Sequence, residues 1–578
     1  MSREALVLLV CCCDFRDGAE RLIPSKSLRN AVIRAFPGLL CILRMCAPRR
    51  AAAVVRPRGR EKSADRRRRI LISRLLIIRA SVPRRKSPFP AYFKGFPAVS
   101  PLIPPYPAFL KYPVSPQSLS EIIERGMRLE ASVYDVEAKQ AYMRIKNGLY
   151  PAVDLIGPNS PVKKAHYGGR LKRNYVEKNE ETTVGFIGSS EMLDVSPQPV
   201  KFMIDDDRVS ELHVKRGTVL ISRSGTIGNM SFVNETLEKF LISEHAMRLE
   251  CNNFPGYVYA YLKTKTGQAL IRSNIYGSVI QQIEPEHLAS IPIPNAPNEI
   301  KAKIDSMIVE SYALRDESNH LINEATNLLI AELQLPAINE FDVDYFKKDA
   351  PVKTFSVKLS DMDYRLDASY HVPIVDAIID HLNKHAEEVI TVDDNRISKN
   401  IILPGRFKRV YVGEGEGRVF IGGKQLHELD PSNKKYLSLS QHGERIEKQL
   451  ELHENMTLIT CSGTIGKVAL VGRHWEKWAA NQHIIRIVPA SENIAGYLNI
   501  FLASEYGYHL ITRYTYGAVI DEIDATHVSN IPIPLLKNHD IQKRINDLAL
   551  EANQKRYEAY KLEQKALEIM DREVIYAK

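Results

Sequence analysis

Two groups of basic residues offer the first chemistry to consider. Arg170, Lys172 and Arg173 lie in GRLKRNYV, and Arg406, Lys408 and Arg409 lie in GRFKRVYV, each group followed by a tyrosine, Tyr175 or Tyr411. Ammonium and guanidinium groups neutralise phosphates, and a guanidinium can also fork onto guanine in the major groove. A second candidate is SGTIG, which occurs twice. Ser224, Thr226, Ser462 and Thr464 supply hydroxyls there, next to Arg223 and Lys467, and the glycines leave backbone amides free to meet phosphate. Gln281, after YGSVI, is of a type that pairs with adenine, whereas Asp521 and Glu522 follow YGAVI at the matching place. Each group also has a plainer reading, a solvated charged strand or a structural turn. Duplication sets binding level with the plainer reading for the basic clusters, and the SGTIG glycines fit a structural turn equally well.

Catalytic motifs are harder to find. A phosphate loop needs GxxxxGK followed by Ser or Thr, but SGTIGK has Cys461 where the first glycine belongs and Val468 after Lys467. An amino-methyltransferase would place an amide or carboxylate before Pro-Pro-aromatic, and the nearest match, Ile103-Pro104-Pro105-Tyr106, has no polar group there. Glu137-Ala138-Lys139 has the acid and lysine of a nuclease motif without the preceding Pro-Asp. His245 and His483 are matched, each three residues before an arginine, Arg248 or Arg486, and no nucleophile or metal partner accompanies them in both places. They read as scaffold histidines. His381 and His385, four apart on a helical stretch, lack a third ligand and read as surface residues. The sequence therefore predicts a chain without catalysis of its own and without a bound metal or cofactor.

The elements that must position these groups occur in duplicate. RLEASVYDV at Arg128 returns as RLDASYHVP at Arg365, and GRLKRNYV, FIG, SGTIG, YGSVIQQI and IPIP return in the same order. The offset between matching positions drifts only between 234 and 241 residues. A period this long is a duplicated domain, because solenoid repeats run about 20 to 50 residues. Between the anchors the copies diverge, so one scaffold presents two different surfaces. VGFIGSS, GTVLISRSG and MTLITCSG read as strands, IPIP as an edge strand, and GYVYAYLKTKTGQALI and GYLNIFLASEYGYHLI as one helix each. Helices are also expected over 136–145 and 373–385.

After each IPIP comes a heptad ladder. Ile300, Ile304, Met307, Ser311, Leu314, Ser318, Leu321, Ala325 and Leu328 alternate steps of four and three, as do Ile541, Ile545, Leu548, Ala552, Lys555, Ala559, Leu562, Ala566 and Ile569. The common register predicts two long helices packed on each other, with Ile304, Met307, Leu314, Leu321, Leu328, Ile545, Leu548, Leu562 and Ile569 as the apolar seam. About 30 residues of helix reach about 45 Å, or about 13 base pairs of duplex. Run antiparallel, such helices would hold the variable domains a fixed distance apart. The expected division is a leader over 1–113, a first variable domain over 114–297, a helix over 298–337, a second variable domain over 338–538 and a helix over 539–578. The class is mixed α/β.

Charge points to DNA only locally. The chain carries +10 overall, but residues 1–126 hold 25 Lys and Arg against 8 Asp and Glu, and the remainder is −7. The leader also holds five of the seven cysteines and the arginine run from Arg66 to Arg69. It reads as an overlong start, with translation beginning shortly before Ser118; a transit peptide and a basic arm gripping phosphates are the other readings. LISRLLIIRA is broken by Arg74 and Arg79, which excludes a membrane span there. No CxxC pair exists, so neither a zinc site nor a disulfide framework is expected and a reducing cytosol fits.

The order RLxAS, LIxxSGTIG, YGxVIxxI, IPIP and heptad helix, repeated once, resembles the specificity subunit of type I restriction-modification systems. The resemblance covers residue 118 to the C-terminus. It implies two target recognition domains related by a pseudo-two-fold axis, separated by an antiparallel coiled coil, each reading half of a split double-stranded DNA target. It further implies docking of two methyltransferase subunits, which bring S-adenosylmethionine and methylate adenine N6. Motor-nuclease subunits using ATP and Mg²⁺ would cut unmethylated DNA. The chain would be a non-catalytic cytoplasmic subunit. Two other readings are a coiled-coil adaptor without sequence-selective DNA binding and a self-contained DNA-modifying enzyme.

Overall fold

The computed structural model describes residues 119–124, 127, 131–179, 181–277, 280–341, 343 and 355–578. The leader expectations, and those for Arg128, lie outside these residues. The first repeat opens with α1 (Val136–Lys146), capped by the Asp135 carboxylate, which accepts the Glu137 amide. Glu137 in the first turn and Arg144 and Lys146 in the last complement the helix dipole. The strands follow as β1 (Ala152–Asp154), β2 (Val162–His166), β3 (Thr183–Ile187), β4 (Phe202–Ile204), β5 (Val219–Ser222), β6 (Met230–Phe232), β7 (Leu241–Ile242) and β8 (Ala246–Cys251). Then come α2 (Pro255–Lys263), α3 (Lys265–Ser273), β9 (Pro292–Pro294) and α4 (Asn298–Glu332).

The second repeat has α5 (Pro373–His385), β10 (Glu388–Thr391), β11 (Ser398–Ile402), β12 (Tyr411–Val412), β13 (Gly417–Ile421), β14 (Lys435–Ser438) and β15 (Thr457–Thr460). It continues with β16 (Val468–Leu470), β17 (Ala479–Ala480), β18 (Ile484–Pro489), α6 (Glu492–Ala503), α7 (Glu505–Thr512), β19 (Pro532–Leu535) and α8 (His539–Ile569). The fold is of the mixed helix-and-sheet class.

Strand order repeats with the sequence. The first repeat has sheets β2-β8-β5-β6 and β4-β3-β7, and the second has β11-β18-β15-β16 and β12-β14-β13-β17. Even the irregularity in β2, between Val162 and Lys164, recurs in β11 between Ser398 and Asn400. β5 and β15 are buried along their whole length because both faces are covered: Leu220 and Leu458 enter one core cluster of their repeat, and Val219, Ile221 and Ile459 another. The IPIP segments pair only with β1 and β10, in two-stranded sheets that suit the missing proline donors. Buried tyrosines satisfy the IPIP carbonyls, Tyr257 donating to Pro294 O at 2.7 Å and Tyr497 to Pro534 O at 2.6 Å.

One expectation needs correction. Each stretch predicted as a single helix is two, because Thr264 and Ser504 take extended backbone angles and cap the next helix, accepting from the amides of Gly267 and Gly507 at 3.1 Å. Those glycines leave room for the turn: a Cβ there would run into the carbonyls of Tyr261 and Phe501.

The long helices α4 and α8 pack on each other along most of their length. Lys303 meets Glu573 at 3.7 Å, Arg315 meets Glu563 at 2.5 Å, Lys555 meets Glu317 at 2.8 Å and Arg544 meets Glu324 at 3.0 Å. As one number rises the other falls, so the helices run in opposite directions. The seam differs from the predicted ladder at alternate rungs of α4 and at one rung of α8. Ile304, Ser311, Ser318 and Ala325 are buried, but Ile308, Arg315 and Leu329 are buried one residue beyond Met307, Leu314 and Leu328, which are half-buried at the flank, while Leu321 and Ile322 are both half-buried. In α8, Ile545, Leu548, Ala552, Ala559, Ala566 and Ile569 are buried, while Glu563 displaces Leu562. Polar groups hold the middle of the seam because small residues and ion pairs, not leucines, face each other there.

Each repeat completes its core with both helices. Ile304, Ile308 and Tyr312 join Ala566 and Ile569 in the first core, and Ala325 and Leu329 join Ile545, Leu548 and Ala549 in the second. The repeats also touch directly. Asp194 and Glu428 form a β-bridge, His427 O accepts the Val195 amide at 2.9 Å, and Lys265 meets Glu414 at 2.5 Å.

Candidate nucleic-acid interface

The SGTIG segments are hairpin loops between β5 and β6 and between β15 and β16. Gly225 and Gly463 take φ of +79° and +78° in open space, so the glycines serve backbone conformation and not packing. Each loop is flanked by the YG loop of its own repeat. Ser224 bridges to Gln282 and Ser462 to Glu522, while Tyr276 and Tyr516 close on the same two residues. The basic cluster reaches the same place. Arg173 Nη2 donates to both Glu244 carboxylate oxygens at 2.6 and 2.7 Å, and Arg409 donates to Gln482 at 2.5 Å. Arg406 meets Glu522 at 3.0 Å. Three motifs separated by 50 residues or more thus converge on one face of each repeat.

The predicted residues divide into exposed and committed groups. Arg170, Lys172, Thr226, Gln281, Lys408 and Thr464 are exposed. Arg406 is exposed and paired with Glu522, and Lys467 is half-buried, its charge lying near Asp194. Ser224 shares a 2.7 Å hydrogen bond with His245 Nδ1, and the Ser462 hydroxyl lies 3.5 Å from Glu522. Arg173 and Arg409 also lie over Phe186 and Phe420, at 5.1 and 5.5 Å from the ring centres.

Arg223 departs from expectation. It is 3% exposed, 3.9 Å above the Tyr167 ring, and its guanidinium meets Glu284 at 2.5 Å. Burial raises the Glu284 carboxyl, but hydrogen bonds from Tyr276 and Tyr167 and the Arg223 charge outweigh it and hold the carboxyl below its usual range. This arginine is neutralised inside the fold and is not placed to contact phosphate. In the second repeat Cys461, buried and pushed up to about 12, occupies the matching position.

The matched histidines and arginines have structural partners. Arg248 donates to the carbonyls of Ala246 and Ile242 at 2.7 and 2.5 Å, and Arg486 to those of Ala480 and Asn481. Burial lowers both guanidinium groups to about 10. His245 sits between Ser224 and Glu244, but Gln482 replaces that acid in the second repeat, where the neighbouring contact of His483 is Gln482 Nε2 at 3.0 Å. His381 stacks on His385 and shares a hydrogen bond with Leu333 O. Among the described residues no group of three or more His, Cys, Asp or Glu is placed to hold a metal ion. Sequence reasoning missed Glu244, Gln482, Glu284 and Tyr167, although Glu244 and Gln482 directly precede the matched histidines.

Residues 414–552 match the family model of the type I restriction modification DNA specificity domain. Over these residues the chain is similar to a type I restriction modification DNA specificity domain. The matched stretch runs from the β12–β13 turn into α8; in the first repeat β2-β8-β5-β6 follows the order of β11-β18-β15-β16, and β4-β3-β7 that of β14-β13-β17. No curated protein matches the chain. Among solved structures, a type I restriction-modification S subunit from M. genitalium is 13% identical, covering 71% of this chain and 91% of that one at a TM-score of 0.28. The HsdS subunit from Thermoanaerobacter tengcongensis is 14% identical, covering 73% and 99% at 0.23. A chain from a structure on complex assembly and conformational transition of the type I R-M system is 13% identical, covering 68% and 92% at 0.22. Among the described residues no helix is long and apolar enough to cross a membrane.

Proposed function

We propose that this chain is the non-catalytic specificity subunit of a type I restriction-modification complex. Each repeat is a target recognition domain that reads one half of a split double-stranded DNA sequence. The α4–α8 pair, as an antiparallel coiled coil under a pseudo-two-fold relation, sets the unread gap. Methyltransferase subunits, two per chain, dock on this scaffold and bring S-adenosylmethionine; motor-nuclease subunits bring ATP and Mg²⁺. The complex works in the cytoplasm.

The observation that carries this reading is the convergence of the basic cluster, SGTIG and YG loops in both repeats, at a matched place on each. Two unlike faces on one scaffold suit a target with two unlike halves. Exposed Arg170, Lys172 and Lys408 would neutralise phosphates and fix register, while Gln281 in one repeat and Asp521 in the other would differ in the bases they accept. The test is a genome-wide map of methylated adenine in a host carrying this chain with its methyltransferase partner. A split motif with a constant gap, absent when the chain is deleted, is expected. An unbroken motif, or methylation independent of the chain, would overturn the reading.

A further inference from the structure

The YG loops end in exposed aliphatic side chains beside the groups just assigned to DNA. Val519 is 95% exposed and Ile520 57%, and in the first repeat Ile280 is 60% exposed. Single exposed aliphatics are ordinary. These sit on loops whose ends are closed by paired backbone hydrogen bonds. Tyr516 and Glu522 exchange backbone hydrogen bonds at 3.0 and 2.8 Å, and Tyr276 and Gln282 do so at 2.9 and 2.8 Å. Directly beyond the loop, Ile523 is buried and donates its amide to Cys461 O at 3.0 Å, as Ile283 does to Arg223 O. Gly517 takes φ +117° and Gly277 +98°, and a Cβ at either would run into the carbonyl of Ile520 or Ile280. The chain thus accepts a left-handed backbone, twice, to hold apolar tips out in water.

We propose that these tips are wedges that enter the duplex at a base step, one in each half-site, and unstack it. The inference rests on the DNA-reading assignment above and adds a mechanical role to it. Continuity with the basic face decides for DNA over a protein partner. Asp521 O accepts the Gly463 amide at 2.9 Å and Glu522 meets Arg406, so the Val519–Ile520 tip is fastened to the SGTIG loop and to an exposed guanidinium. An apolar protein surface would leave the exposed Thr464 hydroxyl without a suitable partner, whereas a duplex offers phosphates beside stacked bases. Apolar side chains inserted beside phosphate-binding groups partly unstack a step and kink the helix. Loop ends already closed by backbone hydrogen bonds suit this because part of the ordering cost is met in folding rather than on binding.

The experiment uses the full chain assembled with its methyltransferase subunits and a duplex carrying the mapped split motif, with 2-aminopurine placed in turn at each position. Fluorescence should rise at one step in each half-site, apart from the methylated adenine. With Val519→Ser and Ile520→Ser together, the rise should be lost in one half-site and kept in the other, where Ile280 is untouched. The exposed tip makes no core contact, and the intact repeat reports on folding. Sequence-selective binding without any such rise overturns the wedge and leaves the DNA-reading assignment standing. Absence of sequence-selective binding overturns that assignment, and the wedge with it. Loss of methyltransferase co-purification in the variant, with the rise intact in both half-sites, shows that the tip faces protein and also overturns the wedge.

Discussion

Arg315 and Glu563 meet at 2.5 Å across the helix pair, with side chains 9% and 1% exposed. Glu563 also accepts from Tyr259 Oη at 2.7 Å and meets Lys263 at 3.0 Å, while Arg315 lies 3.9 Å over the Tyr312 ring. Burial would raise the Glu563 carboxyl, but Lys263 and Arg315 overcome it and bring it down to about 2. Such a cluster fixes register because no other alignment of the helices pairs its charges. Glu563→Ala leaves two buried cations without their counter-charge and should cost about 3–5 kcal/mol. Replacing Arg315, Lys263 and Glu563 together by apolar residues of similar volume should be much milder. Urea unfolding of the variants checks both. Equal losses would mean that the cluster does not act as a unit.

The contact between the repeats should loosen as pH rises. Burial, eased in part by Lys467, moves Asp194 up to about 6, and burial with the nearby Asp194 charge moves Glu428 up to about 7. Both folded values exceed the unfolded ones, so the stabilisation is full below about pH 4 and is lost as pH passes through about 6 to 7. His427 works in the opposite sense. Burial lowers it to about 4, so its contribution is lost as pH falls from about 6.5 toward that value. Comparing wild type with Glu428→Gln leaves the His427 contribution, with its 3.9 Å contact to Asp194, common to both. The variant should gain in melting temperature relative to wild type between pH 5 and pH 8, with little difference at the acid end. A constant difference would place this carboxyl in water.

Much of this was legible in the sequence, and the misses share a physical cause. The duplicated anchors, the strands around SGTIG and the two long helices follow from pattern alone. Arg223 was misread because a charge beside a glycine loop resembles a surface group, while its partner Glu284 lies 61 residues away in the chain. The seam slipped by one residue at alternate rungs because apolar type was used to index it. Arg315 and Glu563 occupy those rungs, and only the three-dimensional pairing of their charges makes burial tolerable. Thr264 and Ser504 hid helix breaks because a capping hydroxyl within an apolar period leaves that period intact.

Two residues of α2 and α6 report on how closely the repeats sit on the long helices. The Gly256 amide donates to Asp305 Oδ1 at 2.7 Å and the Gly496 amide to Asn546 Oδ1 at 2.9 Å. A Cβ at Gly496 would run into the Asn546 carbonyl of α8, and one at Gly256 would lie 2.8 Å from the Asp305 carbonyl. Gly496→Ala should therefore push α6 off α8 and destabilise by about 1–3 kcal/mol. Guanidinium unfolding measures this, and a neutral result would mean that the helices can separate freely.

Phosphate contacts and buried charges are separable by salt. Lys172→Ala and Lys408→Ala should weaken binding to all duplexes alike and each lower the salt slope by about 1. Arg223→Met should leave the slope unchanged and reduce stability, since Glu284 then loses its buried partner. Fluorescence anisotropy over a salt series distinguishes them. A reduced slope for Arg223→Met would return that residue to the interface.

The spacer assignment makes a geometric demand on both helices at once. Seven residues preserve the side of a helix that faces its partner, to within about 20°, and add about 10 Å, or about 3 base pairs of duplex. The insertion belongs between His320 and Leu321 in α4 and between Asn553 and Gln554 in α8. There Asn319 still reaches the first repeat through Val195 O, and Asn553 still reaches the second through Val471 O. The bridge of Asp194 with Glu428 and the stacking of His474 on Tyr560 would be pulled apart, so the variant should be less stable. Its methylated motif should keep both half-sites and widen its gap by about 3 base pairs. Insertion into α4 alone misaligns Arg315 with Glu563 or Arg544 with Glu324, and recognition should fail. A map with the original gap after the double insertion would sink the spacer, since the helices could then lengthen without moving the two reading faces.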